Sequence, residues 1–223
     1  MTAAEETTTW VCAEGPNGVG KTHLLAALAD RLGRRCRLLT ELTDAEGEHV
    51  PAQVISALST GESFLRTGHP RTETFALIAL KVREYELVTQ MATPPEIVLE
   101  DRGIDTTALY QAAILLGPDA DDEDTWALAQ QIHATAAAWR PKPDLVLLIL
   151  DDFDTCLHRY AERVGRPMAA DEQHLVTRAL RLYLRQAEHE PDRFRIVHRA
   201  GRDEQDVLDE MEHLVLTGIG EHR

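Results

Sequence analysis

Basic residues are scarce in this chain: 23 lysines and arginines stand against 38 aspartates and glutamates in 223 residues, a formal net charge of −15 at pH 7. Association with a polyanion depends on basic neutralisation, so nucleic acid and anionic membrane are disfavoured as partners. A small phosphorylated substrate stays compatible, because a basic pocket can sit inside an acidic shell. Cysteine is nearly absent. Cys12, Cys36 and Cys156 lie in apolar contexts without C-x-x-C spacing or a matching histidine pattern, so they read as reduced core residues rather than metal or redox groups. Long apolar runs are missing too: the longest, Leu145 to Leu150, is far too short to cross a bilayer. Met1 to Thr9 carries neither the basic n-region nor the apolar h-region of a secretory signal. Repeats and low-complexity linkers are absent, and the length suits one α/β domain spanning 1–223 with a sizeable core. A single cytoplasmic domain is expected.

What is present begins at Gly15-Pro16-Asn17-Gly18-Val19-Gly20-Lys21-Thr22, which fits the G-x-x-x-x-G-K-[ST] pattern. It sits between a β-branched run, Thr7 to Val11, and an apolar helical pattern, Leu24 to Leu32. In that context the glycines let successive N–H groups curl around phosphate oxygens, Lys21 reaches the β/γ-phosphates and the Thr22 hydroxyl ligates Mg²⁺. A helix opening near Gly20 aims its positive end at the same anion, with His23 just inside it. ATP or GTP binding follows.

Strand-like runs occur at Thr8–Ala13, Arg37–Thr40, Glu96–Leu99, Leu145–Leu150 and Arg195–Val197. Helical patterns separate them at Lys21–Leu32, Val50–Ser59, Thr72–Met91, Thr106–Leu116, Glu123–Trp139, Asp154–Val164, Ala170–Ala187 and Glu204–Leu216. Such alternation predicts a five-stranded parallel sheet with helices on both faces. The acidic run Asp119 to Asp124, flanked by Gly117-Pro118, reads as a helix cap rather than a metal site.

Parallel-sheet nucleotide proteins place ligands beyond the carboxyl ends of their strands. After the third run comes Glu100-Asp101-Arg102: an acid there can hold Mg²⁺ or orient an acceptor, and the arginine can fork onto a phosphate. Thr106, Tyr110 and Gln111 follow on a helix whose first turns face the cleft. After the fourth run, Arg159, Arg163 and Arg166 are spaced by three or four residues around Gly165, a helical face leading into a lid at about 160–170 that can close over a transferring phosphoryl group. The alternative for these arginines is a solvated face pairing with Glu162. Arg199, after the last run, lies where an adenine would be bracketed.

Taken together, Glu14 through Thr22, Asp101-Arg102 with Thr106 and Tyr110-Gln111, and Pro143-Asp144-Leu145 through Arg159 resemble the thymidylate kinase family over nearly the whole chain. The resemblance implies a P-loop kinase moving the γ-phosphoryl of ATP to a nucleoside monophosphate such as dTMP, with Mg²⁺ on Thr22 and Asp101. It further implies acceptor contacts from Glu14, Arg102, Thr106, Tyr110 and Gln111, a base contact from Arg83 or Lys81, ATP contacts from Arg159, Arg163 and Arg166, and a homodimer paired through the long helix. Lys21, Asp101, Arg102 and Arg163 would carry the chemistry.

Three departures stand out. The family's Arg-Glu-Pro after the second strand is replaced by Thr40-Glu41-Leu42-Thr43, its acidic loop residue by Asn17, and its D-R-[YH] by Asp101-Arg102-Gly103. Either Arg66 or Arg71 substitutes for the missing arginine, or the acceptor is not standard dTMP. A neutral-hydroxyl acceptor, with Glu100 as base, is the second reading; a nucleotide-binding module without transfer is the third.

Overall fold

In a computed structural model, which describes residues 8–42, 50–59, 64 and 66–221, strands and helices alternate along the chain. The strands are β1 (Thr9–Glu14), β2 (Cys36–Leu39), β3 (Ile97–Asp101), β4 (Leu145–Leu150) and β5 (Phe194–His198). The helices are α1 (Lys21–Leu32), α2 (Val50–Ser59), α3 (Pro70–Thr89), α4 (Ile104–Leu116), α5 (Asp122–Ala137), α6 (Phe153–Val164), α7 (Ala170–His189) and α8 (Glu204–Glu221). α3 starts two residues before the expected Thr72 because Pro70 suits a first helical turn, where its missing N–H is no loss. α4 likewise starts at Ile104, directly after the extended Gly103.

All strand pairs are parallel, in the order β2-β3-β1-β4-β5. β1 is central: its Val11 lies opposite Leu99 on one side and Leu145 on the other. Every residue of β1 and β3 is buried, as expected of strands covered on both faces. Side-chain alternation along β4 divides the core. Val146 and Leu148 join Ile104, Leu109, Ile132 and Val176 in the layer of α4, α5 and α7, whereas Leu145, Leu147 and Ile149 join Leu24, Leu25, Leu28 and Met211 in the layer of α1 and α8.

The acidic run behaves as a cap: Asp121 accepts from the Asp124 N–H at 2.7 Å at the start of α5. All three cysteines are free; burial pushes the Cys36 and Cys156 thiols up to about 11, and Cys12 well above its ordinary value. Among the described residues, no helix is long and apolar enough to cross a membrane.

The carboxyl end of β3 is fixed by buried charge. Glu100 is fully buried and accepts from both Arg140 terminal nitrogens, from Trp10 Nε1 at 2.8 Å, and lies 3.0 Å from Lys81 Nζ. The Arg140 guanidinium also stacks 4.6 Å from the centre of the Trp10 ring. Burial alone would raise the Glu100 carboxyl, but Arg140 and Lys81 override it and hold it at about 2. Glu100 is therefore a structural anion, not the base that a neutral-hydroxyl acceptor would need. One residue past β3's turn, Asp105 takes a two-pronged pair from Arg193 at 2.8 Å, tying α4 to the segment before β5.

Removing Arg140 takes the two-pronged partner from a buried carboxylate, so Arg140→Met should lower stability at pH 7 by about 3–5 kcal/mol, read from the urea midpoint. A group whose folded pKa is depressed stabilises above its ordinary value and loses that contribution as pH falls through the folded one. The wild type should thus lose this contribution between pH 4.5 and about 2, and Arg140→Met, which keeps only Lys81 and Trp10 around Glu100, should show a weaker acid limb. An unchanged urea midpoint at pH 7 would show that the pair carries no stability.

Candidate active site

The loop between β1 and α1 is shaped by close backbone approach. Gly18 has φ +83, and a Cβ there would overlap the Cys156 carbonyl oxygen, so no side chain fits. Lys21, buried at the start of α1, donates to the Gly15 and Pro16 carbonyls at 3.1 Å each. Burial, then the nearby Arg102 charge, pull its ammonium down to about 8 despite Asp101, Glu41 and Glu14. Arg199 from the end of β5 donates to the Val19 carbonyl at 2.8 Å and pairs with Glu204, which also lies 2.9 Å from His23 Nε2. Arg199 is thus a strut on the outside of the loop.

Thr22 Oγ1 donates to Asp101 Oδ2 at 2.6 Å, joining α1 to the end of β3. The second Asp101 oxygen, Oδ1, is buried without a hydrogen-bond partner. Burial pushes the Asp101 carboxyl up, against the pull of Lys21 and the Thr22 hydroxyl. A hydroxyl and a carboxylate with a spare oxygen beside a phosphate loop are the hard-oxygen donors that Mg²⁺ takes. The residues present fit that ion. A cavity of about 180 Å³ opens at Thr22, walled by Gly18, Lys21 and Thr22 on the loop, by Arg159 and Arg163 from α6, and by Asn17, Glu41 and Arg102. Arg159 is positioned by Asp151 at 2.6 Å.

Arg102 forms the hinge to a second cavity. It holds a left-handed backbone, φ 59, which costs a non-glycine residue roughly 1–2 kcal/mol. Four contacts enforce it. Its N–H donates to Ala13 O at 3.1 Å, Nη2 donates to Asn17 Oδ1 at 2.9 Å, Nε lies 3.0 Å from Glu41 Oε1, and the guanidinium sits 5.5 Å from the centre of the Tyr110 ring. The Tyr110 hydroxyl donates to the same Asn17 oxygen at 2.9 Å. Behind them the second cavity is lined by Asn17, Glu41, Leu42, Phe64, Leu77, Lys81, Arg102, Thr106, Tyr110 and Gln111. Gln111 Oε1 accepts from Thr74 Oγ1 at 3.0 Å, which orients its amide in this wall.

The expected residues divide cleanly by placement. Gly18, Gly20, Lys21, Thr22, His23, Arg159 and Arg163 converge on the loop cavity; Thr106, Tyr110 and Gln111 line the other; Asn17 and Arg102 touch both. Glu14 faces neither. It is fully buried and accepts from the Gly103 and Thr106 N–H groups, from the Thr106 hydroxyl and from the Tyr183 hydroxyl, so it pins the turn after β3 from behind. Arg83 also faces away, onto a groove with Arg37, Thr40 and Glu84, while Lys81 is the residue on the cavity wall. Arg166 lies beyond Gly165, which ends α6 in a left-handed turn, and both its terminal nitrogens donate to Glu172 at 2.7 Å. Neither offered substitute for the missing arginine lines the acceptor cavity: Arg66 pairs with Asp171 at 2.7 Å and lies 5.6 Å from the centre of the Phe64 ring, and Arg71 is exposed. Thr43 lies outside the described residues.

Gly103 explains why no aromatic follows Arg102: a Cβ there would meet Cys12 Sγ at 2.8 Å and Glu100 Oε2 at 3.2 Å. Thr74 and the Glu41 contact to Arg102 escaped the sequence reading, because no local pattern marks a long-range partner.

Comparison with known proteins agrees with this geometry. The family model described as Thymidylate kinase matches residues 13–211. The chain is 28% identical over 187 residues to the thymidylate kinase of Thermomicrobium roseum, covering 82% of this chain and 83% of that protein. It is 30% identical over 117 residues to the probable thymidylate kinase of Methanocorpusculum labreanum, a match over 52% of this chain and about half, 55%, of that relative's length. The fold is like that of thymidylate kinase from Candida albicans, with TM-score 0.65 at 17% identity over 94% of this chain and 92% of the other. The Ehrlichia chaffeensis thymidylate kinase structure gives TM-score 0.63 at 18% identity over 94% and 98%. With its loop, its Asp101-Arg102 turn and a family match over most of its length, the chain belongs to the thymidylate kinase family, ATP-dependent kinases that phosphorylate nucleoside monophosphates.

Proposed function

We propose that the loop cavity takes the ATP triphosphate, that the second cavity takes dTMP or a close analogue, and that phosphoryl transfer occurs where they meet at Arg102. The observation that carries this reading is the shared wall: Asn17, Glu41 and Arg102 line both cavities. A donor and an acceptor seated in them bring their phosphates together on one guanidinium.

The nucleophile is then an oxygen of the acceptor's phosphate, already ionised, so no base has to remove a proton. A bond forms from that oxygen to the γ-phosphorus as the bond to the β-phosphate oxygen breaks, and the electron pair leaves with ADP. Catalysis of such a step rests on positioning and charge stabilisation. In this reading Lys21 binds the β/γ-phosphates, the loop N–H groups hold the triphosphate, and Arg159 and Arg163 stabilise charge spread over the transferring group. Arg102 bridges donor and acceptor phosphates, while Tyr110, Gln111 and Lys81 shape the base and sugar side. Thr22 and Asp101 would hold Mg²⁺, whose chemistry is to neutralise charge on the phosphate oxygens. Glu14, Arg83 and Arg166 are left out of ligand contact, Glu14 and Arg166 as structural anchors.

The same reading takes 1–223 as one kinase domain with its lid at about 160–170, acting in the cytoplasm as a homodimer. Phe75 and Leu87, both exposed on α3, support pairing through that helix. The acidic composition supports a small-molecule rather than a nucleic-acid partner.

Two expectations follow. Lys21→Ala should lower kcat by about 10²–10³-fold or more with the fold intact by circular dichroism, as for loss of a preorganised charge at a transferring group. In the wild type, an ammonium with a pKa of about 8 makes the Kd for MgATP constant below that pH and progressively weaker above it; a calorimetric Kd flat from pH 7 to 9.5 would contradict the role given to Lys21. Second, Arg163→Ala should lower kcat by about 10²–10³-fold, whereas Arg166→Ala should stay within about threefold, since Arg166 is committed to Glu172. Equal losses in the two variants would mean that Arg166 swings into the site.

A further inference from the structure

Glu41 stands at the one place where the two cavities share a wall, and its carboxylate is already 3.0 Å from Nε of Arg102. The acceptor phosphate needs that guanidinium. Among the described residues no other arginine lines the acceptor cavity: Arg66 is held by Asp171, Arg71 is exposed, and Lys81 Nζ lies 3.0 Å from both Glu84 and Glu100. An anionic acceptor entering beside Glu41 therefore meets a like charge and an arginine whose charge is partly neutralised.

Resting on the proposed acceptor site, we infer that Glu41 is a built-in competitor of the acceptor's phosphate for Arg102, and so sets how tightly a nucleoside monophosphate binds. The opposite role, an orienting partner that improves Arg102, is not required by the geometry. Arg102 is fixed without Glu41 by its backbone bond to Ala13, by Asn17 Oδ1 and by the face of Tyr110. What Glu41 adds to that frame is negative charge where the ligand brings its own, and like charges brought together in a partly desolvated site weaken association. The competition acts on the phosphate only. Groups that meet base and sugar, such as Gln111 and Tyr110, are untouched by it.

The test compares dTMP with thymidine, which shares the base and sugar and lacks the phosphate. Calorimetric titration of each, without ATP, into the full-length wild type and Glu41→Gln should show dTMP tightened by about tenfold in the variant, with thymidine within twofold. Steady-state kinetics of the same proteins should show a lower KM for dTMP. Glu41→Ala should tighten dTMP likewise, which guards against a glutamine that makes new contacts, and thermal melts establish that each variant is folded. A dTMP affinity that is unchanged or weaker in both variants, against a wild type that binds and phosphorylates dTMP, overturns the competitor role and leaves the acceptor site standing. A wild type that neither binds nor phosphorylates dTMP overturns the acceptor site and this inference together.

Discussion

Two adjacent carboxylates end β3, and strand geometry sends them to opposite faces of the sheet. Glu100 goes into the layer where Arg140, Lys81 and Trp10 surround it; Asp101 goes toward the loop, where Thr22 reaches it at 2.6 Å. The site depends on that division. A buried ion cluster is weak evidence for stability, because packed apolar side chains of similar volume often do as well. Its value here is positional: any shift of Glu100 would move Asp101 with it, and Gly103 sits so close to Glu100 and Cys12 that the turn carrying Arg102 has little room to follow. Glu14 closes the same turn from β1, since one carboxylate accepts from two of its N–H groups and from Thr106.

From that anchored turn the electrostatics of the cleft follow. Lys21 loses water on burial and feels Arg102, so its ammonium is held less firmly than in solution. Its carbonyl partners in the loop keep it aimed without neutralising it. Asp101 is pushed the other way by the same burial. A triphosphate beside Lys21 and a divalent cation beside Asp101 would each favour the charged group, so a bound ligand would complement charges that the fold leaves unbalanced. Dipoles and charges fixed in advance are effective because they need not reorganise when the phosphoryl group moves.

Much of this was legible from residue order. The loop pattern, the alternation of strands and helices, the acidic cap at Asp121 and the face carrying Arg159 and Arg163 all depend on local spacing, and local spacing is what a sequence displays. What residue order leaves undecided has a common cause. Lys81 and Arg83 lie two positions apart on α3, about 200° around the helix, so only packing against the sheet decides which one meets the cavity. Arg166 continues the spacing of Arg159 and Arg163 in the sequence, yet Gly165 turns the chain at the end of α6 and sends it to Glu172. The family resemblance implies an acceptor contact from Glu14, but as the last residue of a fully buried strand it is spent on the Gly103 and Thr106 N–H groups. In each case a contact with a distant residue overrode a local regularity.

The cations of the cleft are not held in isolation: Arg159 shares Asp151, and Arg102 shares Glu41. Each carboxylate offsets the charge of its guanidinium, so on the proposed binding mode a phosphate would exchange one anionic partner for another instead of drawing a solvated arginine out of water. That exchange gives up affinity, and for a nucleotide kinase weaker product binding is an advantage wherever release limits turnover. It also reconciles the net charge of −15 with a polyanionic substrate. At physiological ionic strength the repulsion from distant carboxylates fades within about 8 Å, so the acidic surface slows encounter more than it weakens the bound state. Inside the cleft, affinity is decided by which anion each arginine prefers, and that is a property of a few side chains around Arg102, not of the chain as a whole.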